Sequence, residues 1–449
     1  MDEFGSFPKT PTIKTDLPGP VSKELLAQQS VFETASRMYT SYFPIAVREG
    51  KNASIMDVDG NTFIDWFAGV CVIALGHGNP KVIGAIKEQL NSISHINELP
   101  TLARVDFLKT LQSTLPGNLR TQSKIMFSVT GGDACEAAIS LARHVSRKRT
   151  VIAFGGAYHG THGGIVGMTA SYHYRENNYF GGRDVVHLPY PYSYRFPVKV
   201  KEGDESKVIV DMLKYVTDDP YSGVDPVGAV IVEPIQGEGG YIVPPDDFLP
   251  LIREFTAERN IPLIIDEVQT GVGRTGRIWA SEWTNIDPDI MCVSKAIGGG
   301  IPLSLIAYRK EYDENLPPGF HLGTYRGNPL AIAAGAAILK ELKEGGILLK
   351  VRKQGEQMLA GFQEMSSKSP LIGEVRGRGF MIGIELVRNG KEPATEEAKK
   401  LRNVLFKNGV LMHTCGHYSN VMRFMAPLTI EKDLIERGMD IFNKAILVK

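Results

Sequence analysis

The chain has 449 residues, of which 43% are hydrophobic, and its 50 basic side chains balance 50 acidic ones. This length predicts two or three domains with large cores, and the zero net charge favours neither nucleic acid nor an anionic membrane as a partner. The four cysteines lack disulfide or metal-site spacing, and there is no signal sequence or apolar run of roughly 20 residues, so we expect a cytoplasmic protein with free thiols and no metal.

The first predicted elements are a hairpin and a helix. Two short β-like runs, residues 53–57 and 62–65, flank the dipeptide Asp59-Gly60, which is typical of a hairpin turn. Pro80 then stands at the entry of a helical pattern over residues 81–90, a position that proline favours.

From about residue 100 to 325, short apolar runs alternate with small-residue breaks and helical patterns. The runs cover residues 124–127, 150–154, 229–232, 262–265, 290–293 and 303–307. Several of them lack the alternation of a strand with one exposed face, so we expect strands covered on both faces. We therefore predict an α/β fold with a mostly parallel sheet, in which functional side chains gather at the strand ends.

The last third of the chain predicts a separate α+β domain, because an alanine-rich helix at residues 331–343 leads into short strands and a final helix at 431–445. We place the domains at residues 1–75, an N-terminal arm and part of a small domain; 76–328, a large domain; and 329–449, the rest of the small domain.

Lys295 closely follows the apolar run that ends at Val293 and precedes Gly298-Gly299-Gly300. A lysine on a rigid strand end, facing space that small residues leave open, suits a Schiff-base lysine. The alternative is a surface lysine at an ordinary strand-to-loop turn.

The segment Asp266-Glu267-Val268-Gln269 follows another buried run and delivers carboxylates and an amide to the same edge. A carboxylate in such surroundings stays ionised when it has a cationic partner, and a protonated pyridine nitrogen is one. A structural salt bridge is the alternative.

Two glycine-containing turns follow other predicted strands. Thr130-Gly131-Gly132 opens a strong helical pattern, where exposed amides would bind a phosphate, or where Thr130 would simply cap the helix. Tyr158 and His159 follow Gly155-Gly156, and either ring could stack on a flat heteroaromatic ligand or pack in the core.

Of two further motifs, the first is a poor match to a ligand site and the second predicts a carboxylate-binding residue. Residues 271–276 match the dinucleotide pattern G-x-G-x-x-G, but no clear helix follows them, which argues against a nicotinamide site. Arg423 lies in an otherwise apolar strand and should pair with a carboxylate of a substrate or of the protein.

Taken in order, these motifs resemble the class III aminotransferases of fold type I, which include 4-aminobutyrate and ornithine aminotransferases and related amino-acid racemases. The similarity covers nearly the whole chain and includes Glu233-Pro-Ile-Gln-Gly-Glu238 and Thr324-Tyr-Arg-Gly-Asn-Pro329. It implies a large domain that binds pyridoxal 5′-phosphate (PLP), a smaller domain formed by the C-terminal third and the N-terminal segment, and a homodimer or higher homo-oligomer.

The resemblance also implies a role for each matching residue. Lys295 would form the Schiff base and shuttle a proton, Asp266 would keep the pyridine nitrogen protonated, and Tyr158 would stack on the ring opposite Val268. The other implied cofactor contacts are Thr130, Gly131, Gly132, His159, Glu233, Gln269 and, from the second subunit, Thr324. Arg423 would receive the substrate carboxylate, and the other implied substrate contacts are Glu238, Tyr42 and Val70.

Three departures from the family pattern bear on substrate and cofactor binding. Thr161 stands where relatives acting on 4-aminobutyrate or ornithine have an arginine, which weakens that assignment, whereas the retained Glu238 keeps a terminal-amine route open. Val129 stands where many members have asparagine and Asp133 where many have glutamate, and we expect altered packing of the phosphate turn.

The leading hypothesis is a PLP-dependent aminotransferase that exchanges an amino group between an amino donor and a 2-oxo acid. The main alternative is an amino-acid racemase or epimerase of the same family. A non-catalytic PLP-binding protein and an NAD-dependent dehydrogenase are less favoured.

Overall fold

The computed structural model describes residues 4–176 and 184–447, so the first three and last two residues of the predicted small domain lie outside the described part. The described residues form two compact units. One comprises Gly84–Lys350, and the other joins the residues up to Ile83 with those from Val351 onward. The smaller unit is thus built from segments at both ends of the chain.

The larger unit is built on one sheet. Among the described residues its seven strands are, in spatial order, Ser123–Ser128, Ser304–Arg309, Ile290–Val293, Leu263–Asp266, Val227–Val232, Thr150–Phe154 and Val185–Leu188. Ser304–Arg309 runs antiparallel to both neighbours, and the other pairings are parallel. The mostly parallel sheet is confirmed, and each of the six predicted runs forms one of its strands.

Helices cover both faces of this sheet, which explains why the strand sequences are continuously apolar. The strand Val227–Val232 is buried throughout. Its Val230 packs in a core with residues of the helices Glu205–Asp218 and Phe248–Glu258, while Ala229 packs in a second core with residues of the helix Gly131–Ser146. The remaining α-helices within the larger unit are Leu102–Thr114, Tyr172–Arg175 and Pro329–Glu344.

The helix Pro329–Glu344 belongs to the larger unit, although the sequence placed the domain boundary before it at residue 328. A Cβ atom at Gly335 would lie 2.8 Å from Phe107 and 2.9 Å from the carbonyl oxygen of Ile297. This close approach shows that the helix packs within the larger unit, which ends at Lys350.

The smaller unit contains two sheets. One has the strands Val47–Lys51, Ser54–Asp57, Thr62–Asp65 and Val410–Leu411; the other has Ile372–Arg378, Met381–Arg388, Val421–Phe424 and His413–Cys415, with Glu392–Pro393 paired to its second strand. Its helices are Pro20–Phe32, Tyr39–Tyr42, Ala68–Cys71, Thr395–Lys407 and Lys432–Leu447. Two further helices, Pro80–Ser92 and Ile347–Lys368, span the positions at which the chain divides.

The hairpin predicted around Asp59-Gly60 is present. Strands Ser54–Asp57 and Thr62–Asp65 pair antiparallel, and the Asp57 carboxylate closes the turn by accepting the backbone N–H groups of Asp59 and Asn61. The four cysteines are buried and free, as expected. No helix in the described ranges is long and apolar enough to cross a membrane.

Close packing at Gly438 provides a test of the smaller unit. A methyl group at this position of the helix Lys432–Leu447 would overlap the buried indole of Trp66. We expect Gly438→Ala to lower the free energy of unfolding by about 1–2 kcal/mol, because overpacking outweighs the gain in helix propensity. Urea unfolding followed by circular dichroism measures the change.

Gly84→Ala is the matched control, since Gly84 lies in the helix Pro80–Ser92 with no atom within 4 Å of its added Cβ. This change should raise stability by roughly 0.5–1 kcal/mol. A Gly438→Ala protein as stable as the Gly84→Ala protein would contradict the packing argument.

Candidate active site

A cavity of about 240 Å³ lies in the larger unit, where the parallel strands end. Glu233 follows Val227–Val232, Asp266 ends its strand, and Lys295 comes two residues after Ile290–Val293. The lining comprises Thr130, Gly131, Gly132, Tyr158, His159, Gly160, Thr161, His162, Glu233, Glu238, Asp266, Val268, Gln269 and Lys295. Every cofactor residue that the sequence proposed, except Thr324, is among them.

Asp266 is the most constrained side chain of the cavity. Its Oδ2 lies 2.7 Å from His159 Nδ1 and accepts the Cys135 thiol at 3.4 Å, while its Oδ1 accepts the Val268 N–H at 2.9 Å. Burial disfavours a charged imidazole, but the hydrogen bond to Asp266 outweighs it and raises the pKa of His159 to about 10. At neutral pH His159 is therefore a buried imidazolium that pairs with Asp266.

Glu233 orients the backbone beside Tyr158. Its carboxylate accepts the N–H of Tyr158 at 3.0 Å and the N–H of Gly237 at 2.9 Å. Burial, aided by the negative charge of Asp266, raises the pKa of Glu233 to about 7 even though His159 opposes this shift. The Tyr158 ring meets Tyr174 edge to face at 5.1 Å.

The turn at residues 130–132 caps a helix and lines the cavity. The Thr130 side chain caps the helix Gly131–Ser146 by accepting the N–H of Asp133 at 3.2 Å. A Cβ on Gly131 would lie 2.8 Å from Val268, and one on Gly132 would lie 2.6 Å from His162. The cap stabilises the helix, and the two glycines let its positive N-terminal end lie open to the cavity.

Lys295 has a backbone φ of +49°, a left-handed value that is uncommon for a residue with a side chain. The preceding Ser294 donates its hydroxyl to the carbonyl of Leu303 at 3.3 Å, which ties the turn to the adjacent strand connection. Backbone strain of this kind concentrates at functional positions.

The second acid of the motif, Glu267, has a structural function. Its buried carboxylate accepts the backbone N–H groups of Ala280 and Ser281 at 3.1 and 2.7 Å and faces away from the cavity lining. The glycine pattern at 271–276 forms turns that lead to the short 3₁₀ helix Ala280–Trp283. It therefore lacks the long helix that a dinucleotide site requires.

Thr324 is exposed and does not contribute to this cavity lining. Hydrogen bonds and ion pairs hold its loop against the start of the helix that follows residues 130–132. Asp133 Oδ1 accepts a hydrogen bond from Arg326 at 2.8 Å and lies 3.2 Å from His321. Although burial opposes ionisation, the hydrogen bonds from His321, the Val129 N–H and Arg326 hold the pKa of Asp133 below its usual range.

The remaining predicted substrate residues belong to the smaller unit. Arg423 is buried in the strand Val421–Phe424. The Tyr42 ring contacts His413 edge to face at 4.6 Å and lies 4.3 Å from the Arg402 guanidinium. Val70 has a φ of +61° within Ala68–Cys71, a turn in which all four residues are left-handed.

Sequence reasoning missed Cys135 and His162. Cys135 contacts a residue 131 positions away, which no local pattern reveals. His162 follows the recognised Tyr158-His159-Gly160 run, but only the approach of the two turns shows that its ring lies against Gly132.

Residues 34–446 match the family model described as aminotransferase class-III. A diaminobutyrate–2-oxoglutarate aminotransferase of Rhizobium meliloti is 36% identical over 423 residues, covering 92% of this chain and 90% of that protein. A leucine/methionine racemase of Thermococcus litoralis is 35% identical over 432 residues, covering 94% and 95%. An amine transaminase from an uncultivated Pseudomonas species, solved in its PLP-bound form, superposes with a TM-score of 0.84 at 26% identity, covering 92% of this chain and 97% of the solved one.

The buried ion pair makes the stability of the cofactor-free protein depend on pH. The folded-state pKa of His159, about 10, lies above its ordinary value of 6.5, so its stabilising contribution is complete below about pH 6.5 and is lost as pH rises through 10. We expect His159→Asn to remove a contribution on the order of 3 kcal/mol at pH 6 and to flatten the decline of unfolding free energy toward pH 10.

Urea unfolding of the apoprotein between pH 6 and pH 10 measures both curves. His173→Asn is the control, because 73% of that side chain is exposed. Parallel curves for the native protein and His159→Asn would show that the ion pair does not form.

Proposed function

The chain belongs to the class-III aminotransferase family, and we propose that it moves an amino group from a diamino acid to a 2-oxo acid. As a member of this family it is a PLP-dependent aminotransferase. One observation carries the finer assignment: the cavity that holds Lys295 and Asp266 also contains the carboxylate of Glu238 and, at position 161, a threonine in place of a basic side chain.

The residues present fit PLP. Asp266, charge-balanced by His159, suits a protonated ring nitrogen, and the helix N-terminus at Gly131 suits a phosphate. The buried side-chain oxygen of Gln269 has no hydrogen-bond partner in the described structure, so its amide is available to a polar ring substituent. When bound, PLP supplies an aldehyde that accepts the amine and an electron-withdrawing ring that stabilises negative charge on the substrate carbon.

In this proposal Lys295 supplies the amine for the Schiff base linkage and later carries the proton removed from the substrate carbon. A base must lie within hydrogen-bond reach of the proton that it abstracts. Strain at Lys295, whose φ is +49°, supports a fixed direction for this side chain. Asp266 holds the ring nitrogen protonated, and His159 keeps the Asp266 carboxylate ionised.

Tyr158 and Val268 cover the two faces of the ring in the proposed complex. Glu233 positions Tyr158. Its carboxylate accepts the backbone N–H of Tyr158 and so fixes the backbone from which the aromatic side chain extends. Thr130, Gly131 and Gly132 hold the phosphate.

The substrate assignment depends on charge. A second ammonium group on the donor would pair with the half-buried Glu238, whereas the uncharged Thr161 provides no partner for a distal carboxylate. Arg423 receives the α-carboxylate, and Tyr42 and Val70 contact the rest of the substrate. The diaminobutyrate–2-oxoglutarate aminotransferase among the relatives supports this donor class and suggests 2-oxoglutarate as acceptor.

We also propose a homodimer in which Thr324 reaches the phosphate of the second subunit. Its exposure, together with that of Leu322 and Tyr325 at 66% and 70%, supports a contact outside its own cavity. The four buried free thiols support a cytoplasmic location.

The second candidate function is amino-acid racemisation, which the leucine/methionine racemase among the relatives favours. Both activities remove the α-proton, but only a racemase returns it to the opposite face without releasing a new amino acid. The presence or absence of the oxo acid therefore separates them.

The experiment that tests the proposed donor compares 2,4-diaminobutyrate, 4-aminobutyrate and L-leucine in single half-reactions and in full reactions with 2-oxoglutarate. We expect glutamate formation to be fastest with 2,4-diaminobutyrate. Glu238→Gln should lower kcat/KM for this donor by about 10-fold, since it removes one charge pair of about 1–2 kcal/mol, and should spare L-leucine.

Lys295→Ala is the control without the proposed base and should form no glutamate. Inversion of L-leucine without oxo acid, with no new amino acid formed, would overturn transamination in favour of racemisation. Equal losses for both donors in Glu238→Gln would overturn the diamino-acid assignment.

Arg423 provides a separate prediction. We expect Arg423→Ala to lower kcat/KM for carboxylated donors by about 3 kcal/mol, roughly 150-fold, because their carboxylate loses a charge-assisted pair. Steady-state kinetics with 2,4-diaminobutyrate and with 1-phenylethylamine, which has no carboxylate, separate this effect from misfolding. Unchanged kinetics with the amino acid would mean that another group binds the carboxylate.

A further inference from the structure

His162 fills the space that a side chain at Gly132 would occupy. An ideal Cβ on Gly132 would lie 2.6 Å from His162 Cε1, 3.2 Å from Nε2 and 3.3 Å from Nδ1. Both residues line the cavity. A glycine on one turn and an imidazole on the other are therefore complementary, and the ring provides the functional group that position 132 lacks.

The place that the ring occupies favours an anion. Gly132 is the second residue of the 16-residue helix Gly131–Ser146, whose N-terminal end carries positive partial charge. Thr130 already accepts the N–H of Asp133, so the cap leaves the approach along Gly131 and Gly132 open to a ligand.

Of the basic side chains in the cavity, His162 is the one that has no other assigned role. The lining contains three basic side chains among the described residues: Lys295, His159 and His162. Lys295 is the proposed Schiff-base amine, and His159 is paired with Asp266 at 2.7 Å. A phosphate dianion at the helix N-terminus then has His162 as its basic side-chain partner within this subunit.

The acidic side chains near this turn are Asp133 and Glu136, and each contacts other groups. Asp133 pairs with Arg326 and His321. Glu136, on the same helix, lies against the backbone after His162, since its Oε1 would be 3.0 Å from a Cβ on Gly164. Glu136 is thus an acidic side chain close to this backbone, and removing its charge should not weaken the binding of a phosphate.

We propose that His162 is a phosphate-binding residue of the PLP site, in which its imidazole N–H takes the place of a side-chain donor at position 132. This inference rests on the proposed binding of the phosphate at residues 130–132.

The test measures ligand binding to the apoprotein, so that it does not depend on activity. Pyridoxine 5′-phosphate and pyridoxine lack the aldehyde and therefore cannot link to Lys295; they differ only in the phosphate. Equilibrium dialysis at pH 6.5 gives their dissociation constants for the native protein, His162→Ala, His162→Gln and the control His173→Ala, which lies outside the cavity lining.

We expect His162→Ala to weaken pyridoxine 5′-phosphate binding about 10- to 100-fold at pH 6.5 and to leave pyridoxine unchanged, since a charge-assisted hydrogen bond is lost. His162→Gln should retain part of the binding, because its side-chain amide can still donate a hydrogen bond to the phosphate. Equal effects on both ligands, or none, would overturn the role of His162.

Failure of the phosphate placement itself has a different signature. In that case the native apoprotein would bind pyridoxine 5′-phosphate no more tightly than pyridoxine, and Gly132→Ser would change neither. Thermal unfolding of the apo variants checks that each one is folded.

Discussion

The buried ion pair between Asp266 and His159 is the interaction on which the rest of the site depends. An ionised carboxylate removed from water costs several kcal/mol unless it is paired and hydrogen-bonded. Here His159, the Cys135 thiol and the Val268 N–H satisfy it. Those three donors come from separate segments, so a charged Asp266 requires the strand ends and the helix Gly131–Ser146 to be in their native places.

The same constraint orders the neighbouring groups. Burial raises the pKa of Glu233 to about 7, and the negative charge of Asp266 adds to this shift while His159 opposes it. Its two backbone donors, from Tyr158 and Gly237, keep it in position. Asp266 and Glu233 therefore lie in different surroundings, since Asp266 pairs with His159 whereas Glu233 accepts backbone N–H groups.

Much of the larger unit could be predicted from the sequence because its strands are buried on both faces and read as continuous apolar runs. The parallel sheet, the helix cap at Thr130 and the convergence of strand-end residues all follow from local patterns. Val185–Leu188 was missed, since it is a short edge strand of mixed burial. The boundary after residue 328 was placed too early, because the contact of Gly335 with Phe107 depends on tertiary packing that no local pattern encodes.

Contacts across long sequence separations explain what the sequence did not reveal in the site. Glu233 was recognised by its motif, but the structure alone links it to the backbone of Tyr158. Glu267 and Asp266 are adjacent acidic residues that the sequence does not distinguish. The carboxylate of Glu267 accepts the N–H groups of Ala280 and Ser281, whereas Asp266 lines the cavity. Alternating side-chain direction along an extended segment is the physical reason, since neighbouring residues point to opposite sides.

Asp133 connects the phosphate turn to the loop that carries Thr324. Its carboxylate accepts the Val129 N–H on its own turn and Arg326 on that loop, so one side chain fixes both. If Thr324 serves the second subunit, the geometry of the phosphate turn in one protomer sets the position of a phosphate contact in the other, and cofactor binding and subunit assembly depend on the same carboxylate.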